Sequence, residues 1–306
     1  MSSTSEKHLI EIMLFNVEHG DTSTCIKFNI HPETLSRYKR AHREKGKRIA
    51  KILLLDIETA PMQVLAWGLF KPYLSHDNIL KKGFILSWAA KWLFSSETKS
   101  DVLKTEEAKK GNDKRICESI WNMINDADII IGHNIRKFDI KWLNAEFILN
   151  GIKPPSPYQT IDTLTEARKH FKFPSNRLDY LGKIMVRKEK IETNYKLWKM
   201  CMIGDQGALQ EMVKYNENDV LLLEDVYVEL RPWIKSHPNM GMYIDSDKSV
   251  CGNCGSENLI WEDKYYTTMV SRFAAYRCNN CGAYSRCRTT ALNKEQRENL
   301  LAGVAR

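Results

Sequence analysis

The 306 residues are 43% hydrophobic and 27% charged, enough to bury a substantial core around one large domain with small appendages. A net charge of +8, from 46 Lys+Arg against 38 Asp+Glu, leans toward a polyanionic partner. The polar start, Met1 to Lys7, and the lack of any apolar run of about 20 residues exclude a signal peptide and a membrane helix as expectations, so the chain is expected in the cytosol.

The N-terminal segment, residues 1–48, reads as short helices followed by a charged linker. Residues 21–29, a break at Ile30-His31-Pro32, and residues 33–43 give a helix, a turn and a helix, with Cys25 at the crossing and Asn29 in the turn. This resembles a helix-turn-helix. Between His31 and Lys51 stand eight basic residues, Arg37 and Arg40 among them, against two acidic ones, as a helix contacting DNA would require. A solvated helical surface gives the same pattern.

From residue 49 to residue 235, strand-like runs alternate with amphipathic helical patterns, which predicts a mixed α/β layer fold. Strands are expected at residues 51–57, 62–70, 83–94, 128–132 and 158–161. The first is a continuous apolar run that ends in Asp56-Ile57-Glu58-Thr59. Alternation puts Asp56 and Glu58 on one side, and two carboxylates so close repel unless a cation lies between them. The fourth leads into His133-Asn134 and then Phe138-Asp139, where helical periodicity begins; Asp139 could there serve only as a helix N-terminal acid. A long helix over residues 208–230 carries Tyr215 and Asp219 one turn apart on one face, Asp219 beside Val220-Leu221-Leu222-Leu223. Asp162 reads as a helix cap or a support for the acids.

Asp56-Ile57-Glu58-Thr59, then Asn134 with Phe138-Asp139, then Tyr215-x-x-x-Asp219, resembles the three motifs of the DEDD superfamily of 3′-5′ exonucleases, in its tyrosine subclass, similar to the proofreading domains of family A and B DNA polymerases. The resemblance implies an α/β fold of the ribonuclease H-like kind, a mixed sheet flanked by helices in which three antiparallel strands precede strands joined through helices. It implies two Mg²⁺ or Mn²⁺ ions held by Asp56, Glu58, Asp139 and Asp219, with Tyr215 orienting the attacking water and Thr59 and Asn134 near the substrate terminus. The expected substrate is DNA, with RNA left open because such residues grip phosphate and metal rather than the sugar. A transposase or integrase would instead carry a lone Asp on the first strand and a late Glu. A DNA-binding regulator with a decayed core would be expected to lose some of these residues.

Residues 245–290 hold Cys251-Gly-Asn-Cys254-Gly and Cys278-Asn-Asn-Cys281-Gly, two CxxC knuckles 23 residues apart. Four thiolates so spaced predict one tetrahedral structural Zn²⁺, and the unit resembles a zinc ribbon, with strands expected at residues 258–261 and 270–277. Cys287 is surplus. Tyr265, Tyr266, Arg272, Phe273, Tyr276 and Arg277 suit stacking on a nucleic-acid strand and equally suit ordinary strand packing.

Overall fold

A computed structural model describes residues 25–35, 50–70, 74–188, 191, 193–244, 246 and 248–303. The main sheet has five strands in the order β5-β4-β1-β6-β7. They are β1 (Ile52–Ala60), β4 (Phe84–Trp92), β5 (Thr98–Val102), β6 (Ile129–Gly132) and β7 (Gln159–Asp162), while β2 (Gln63–Val64) and β3 (Ile79–Lys81) pair outside it. β4 runs antiparallel to both β1 and β5, and β6 and β7 continue parallel to β1.

Why the sheet is central follows from β1. Leu53, Leu55 and Ile57 face one hydrophobic cluster and Ile52 and Leu54 face another, so both sides are covered. β6 repeats the division, Ile130 to the first cluster and Ile129 and Ile131 to the second. Four helices close the first side: α1 (Thr105–Lys110), α2 (Lys114–Asp126), α3 (Asp139–Leu149) and α6 (Tyr195–Met202). α4 (Thr163–His170) and α5 (Leu178–Leu181) cover the second. The 25-residue α7 (Gln206–Leu230) serves both: Leu209, Met212 and Tyr215 belong to the first cluster, Val220, Leu223, Val226 and Leu230 to the second. Gly182 permits its close approach to the segment Gly182–Val186, since a Cβ there would lie 2.6 Å from Leu222 Cδ1.

Two sequence expectations need correction. Residues 62–70 are not a sheet strand: only Gln63–Val64 is extended, and Trp67, Leu69 and Phe70 stand in solvent. The antiparallel neighbour of β1 is β4, and the third strand is β5, whose sequence Thr-Lys-Ser-Asp-Val carries no apolar alternation. β5 is an edge strand, where polar residues belong, and it is secured by Asp101, which accepts from Arg115 Nη1 at 2.7 and 2.8 Å.

Buried Lys91 and largely buried Glu224 form an ion pair that fastens α7 to β4, and Glu224 Oε1 also accepts the Phe94 N–H at 2.7 Å. Beyond α7, a three-stranded antiparallel sheet is built from β8 (Leu259–Thr267), β9 (Arg272–Cys278) and β10 (Tyr284–Arg286), followed by α8 (Lys294–Glu298). β8 and β9 run beyond the expected residues, and β10, only three residues long, gave no pattern to read. This unit is tied to the end of α7: Asn253 Nδ2 donates to the carbonyls of Arg231 and Ile234, and the Met240 N–H donates to Gly252 O.

Of the N-terminal segment, residues 25–28 and 32–35 are helical, and Asn29 between them is left-handed (φ 47). Arg37 and Arg40 lie outside the described residues. Among those described, no helix is long and apolar enough to cross a membrane.

Candidate active site

On β1 the side that begins with Ile52 and Leu54 continues as Asp56 and Glu58. β4 presents Ala89 opposite Asp56 and Ser87 opposite Glu58, both fully buried, and these small side chains leave room above the sheet for α7. α7 brings Asp219 into that space. One carboxylate oxygen from each of Asp56, Glu58 and Asp219 lies within 4.8 Å of the others. Tyr215, one turn earlier, lines the same cleft and meets Trp198 edge-on at 5.9 Å between ring centroids.

Asp139 opens α3 and also lines the cleft, yet it stands apart from the trio. Its Oδ1 accepts the Ile57 N–H at 3.1 Å, so it grips the backbone between the two β1 acids. With 3% of its surface exposed, burial pushes its carboxyl up to about 7, the hydrogen bonds from the Asp139 and Ile57 N–H groups oppose the shift, and the nearby Asp162 adds to it. Asp162 caps α4 through the Thr165 N–H, which is its helix-cap reading, and also accepts from Asn134 N at 3.1 Å. Asn134 is left-handed (φ 72) and lines the cleft. Thr59 follows a register shift after Glu58 and is not among the described residues that line it.

Sequence reasoning passed over Asn216. It is fully buried, its Nδ2 donates to Asp56 Oδ2 at 2.6 Å, and its Oδ1 accepts from Ser87 Oγ at 3.1 Å. The available signal was an asparagine on the apolar face of a long helix, which burial requires to be bonded. The cleft, about 1080 Å³, is also lined by Arg168, Arg177, Lys183 and Tyr180.

An oxygen-only set of three carboxylates suits a hard divalent ion such as Mg²⁺ or Mn²⁺. At the C-terminal unit, Cys251, Cys254, Cys278 and Cys281 converge. The Cys251–Cys281 and Cys254–Cys278 sulfurs are 3.6 and 3.5 Å apart, close to the edge of roughly 3.8 Å of a tetrahedron with Zn–S near 2.3 Å. Cys287 lies outside the cluster.

Residues 89–231 match the model of the RNase_H_2 family, described as the RNase_H superfamily. Over these residues the fold is ribonuclease H-like. Among solved structures, the chain is similar to the family B DNA polymerase from the hyperthermophilic archaeon Pyrobaculum calidifontis, at 15% sequence identity and a TM-score of 0.41, over 60% of this chain. The match spans 25% of that polymerase chain. No curated protein matches.

Proposed function

We propose that the chain is a metal-dependent nuclease that hydrolyses nucleic acid from a free 3′ end, with DNA as its substrate. The observation that carries this reading is the convergence of Asp56, Glu58 and Asp219 in a cleft that Asp139 and Tyr215 also line. Asp56, Glu58 and Asp219 would hold one divalent ion, and Asp139 with Asp56 a second. Such ions, when bound, stabilise the attacking and leaving oxygens of a phosphodiester displacement. Tyr215 serves as a hydrogen-bonding orienter of the attacking water rather than as its base, since a phenol is a poor general base near neutral pH. Asn216 holds Asp56 in place, and Arg168, Arg177 and Lys183 give the cleft lining the charge to receive phosphates.

The 3′-to-5′ direction rests on the order of the three motifs. In this reading the four cysteines hold a structural Zn²⁺, Asn134 and Thr59 lie near the substrate terminus, and residues 1–48, with Arg37 and Arg40, add affinity for duplex. The test uses end-labelled single- and double-stranded DNA, with RNA in parallel, in Mg²⁺ or Mn²⁺. Mononucleotides should leave a free 3′ end, a blocked 3′ end should protect, and Asp56→Ala or Asp219→Ala should abolish cleavage without unfolding the chain. Full activity in either variant refutes the metal site, and nicked circles as first product refute the exonuclease.

A further inference from the structure

The C-terminal sheet carries a surface that hydrolysis does not use. Every residue of β8 after Leu259 is exposed, so the aromatic side chains of this strand are not packed into a core. Tyr266 pairs with Phe273, Lys264 and Arg286 both stand across from Ala275, and Arg277 pairs with Tyr284. Because residues 273, 275 and 277 alternate along β9, all seven named side chains share one face. The Arg286 guanidinium lies 4.2 Å from the Phe273 ring centroid and 5.4 Å from that of Tyr266. Arg277 lies 4.5 Å from the Tyr284 centroid, held there by Glu262 at 2.8 Å.

The opposite face differs in two respects. It runs into the cysteine cluster at Cys278, and Arg272, over Tyr265, is the cation it offers, against Lys264, Arg277 and Arg286 on the first. Residues 259–288 hold five basic and two acidic side chains, a balance complementary to phosphate. Rings and guanidinium planes are surfaces on which any unpaired base stacks, and cations beside them track a backbone. A duplex hides its base faces and gains only the charge.

We propose that this face binds one unpaired nucleic-acid strand, its bases stacking on Tyr266, Tyr284 and the plane of Arg286, which lies over Phe273, its phosphates taken by Lys264 and Arg277. The proposal rests on the nuclease reading for the class of ligand alone.

The test uses the full-length, zinc-loaded chain carrying Asp56→Ala, with a labelled single-stranded oligothymidylate and a duplex of equal length, read by fluorescence anisotropy across a salt series. Tyr266→Ser with Arg286→Ser should lower single-strand affinity by about tenfold or more, the lower range for a base that no longer stacks, and Lys264→Ser should reduce the log–log salt slope by about 0.7 for the phosphate no longer neutralised. Duplex affinity should change less, and Tyr265→Ser with Arg272→Ser on the other face should leave single-strand binding within about twofold. Unchanged affinity, or equal weakening from either face, overturns the proposal. So does altered self-association on sedimentation without a change in binding, which would make the face a protein interface. Should the serine pair release zinc, Arg286→Gln alone decides: about threefold weaker binding is expected, and unweakened binding is refutation. Since no variant in this series cleaves, a failure of the nuclease reading appears separately, as a wild-type chain that degrades nothing.

Discussion

Asp139→Asn should make the protein free of Mg²⁺ and Mn²⁺ more stable at alkaline pH than the parent. The carboxyl rises from 3.8 to about 7 because burial disfavours its charge. With the folded value above the unfolded one, the native state binds more protons between the two, so stability falls as pH rises through that window and levels off above about 7. At 1.36 kcal/mol per unit, the parent loses about 2 to 3 kcal/mol between roughly pH 5 and roughly pH 8 through this group alone. The amide keeps an oxygen to accept the Ile57 N–H and carries no charge, so the variant escapes that loss. Urea unfolding after dialysis against buffer lacking divalent ions, with zinc retained, should show the variant gaining on the parent by that amount across the window. Adding Mn²⁺ at the higher pH should narrow the gap by stabilising the parent. Parallel pH profiles would refute the reasoning, as would a gap that opens toward acid.

Lys91→Ala should cost up to about 3 kcal/mol in the same measurement, the lower end for a broken buried pair, since it leaves Glu224 charged and largely buried with only the Phe94 N–H for a partner; pairing it with Glu224→Gln should recover much of the loss. Asn216→Ala, which removes the donor to Asp56, should lower kcat about 10- to 100-fold with KM little changed, and Ser87→Ala should act in the same direction to a smaller extent. Cys254→Ser should reduce zinc from one per chain to none by elemental analysis and raise amide exchange across β8 to β10 while β1 and α7 stay protected. Deleting residues 1–45 should flatten the salt dependence of duplex binding by about 0.9 for each phosphate that the segment neutralises and leave the cleavage step unchanged.

Much of the site was legible because its chemistry is local in sequence. Asp56 and Glu58 share a strand face by alternation, and Tyr215 and Asp219 share a helix face by turn spacing. The CxxC knuckles announce their convergence in the same way. What stayed hidden depends on neighbours distant in the chain. β5 is polar and owes its existence to pairing with β4 and to the Arg115 grip on Asp101. Residues 62–70 read as strand because apolar residues dominate there, but the slot beside β1 belongs to β4. Asn216 resembles any helical asparagine until Ser87, 129 positions away, and Asp56, 160 positions away, are placed around it. The face shared by Tyr266, Phe273 and Arg286 requires a register that residue types alone do not fix.

α7 behaves as a vernier between the two layers of the core. At 1.5 Å of rise and 100° of turn per residue, its 25 residues span about 37 Å, and a slip of a single position would swing Asp219 away from Asp56 and Glu58. No hydrogen bond within the helix opposes such a slip. Opposition comes from the Lys91–Glu224 pair, from the Asn216 bonds to Asp56 and Ser87, and from packing at both ends, with Leu209 and Met212 seated in one cluster and Val226 and Leu230 in the other, so the alignment of the acids is set in part by oily side chains up to two or three turns away. Conservative exchanges among those leucines, valines and methionines are therefore the changes by which such a site would drift out of focus while every acid remained in the sequence.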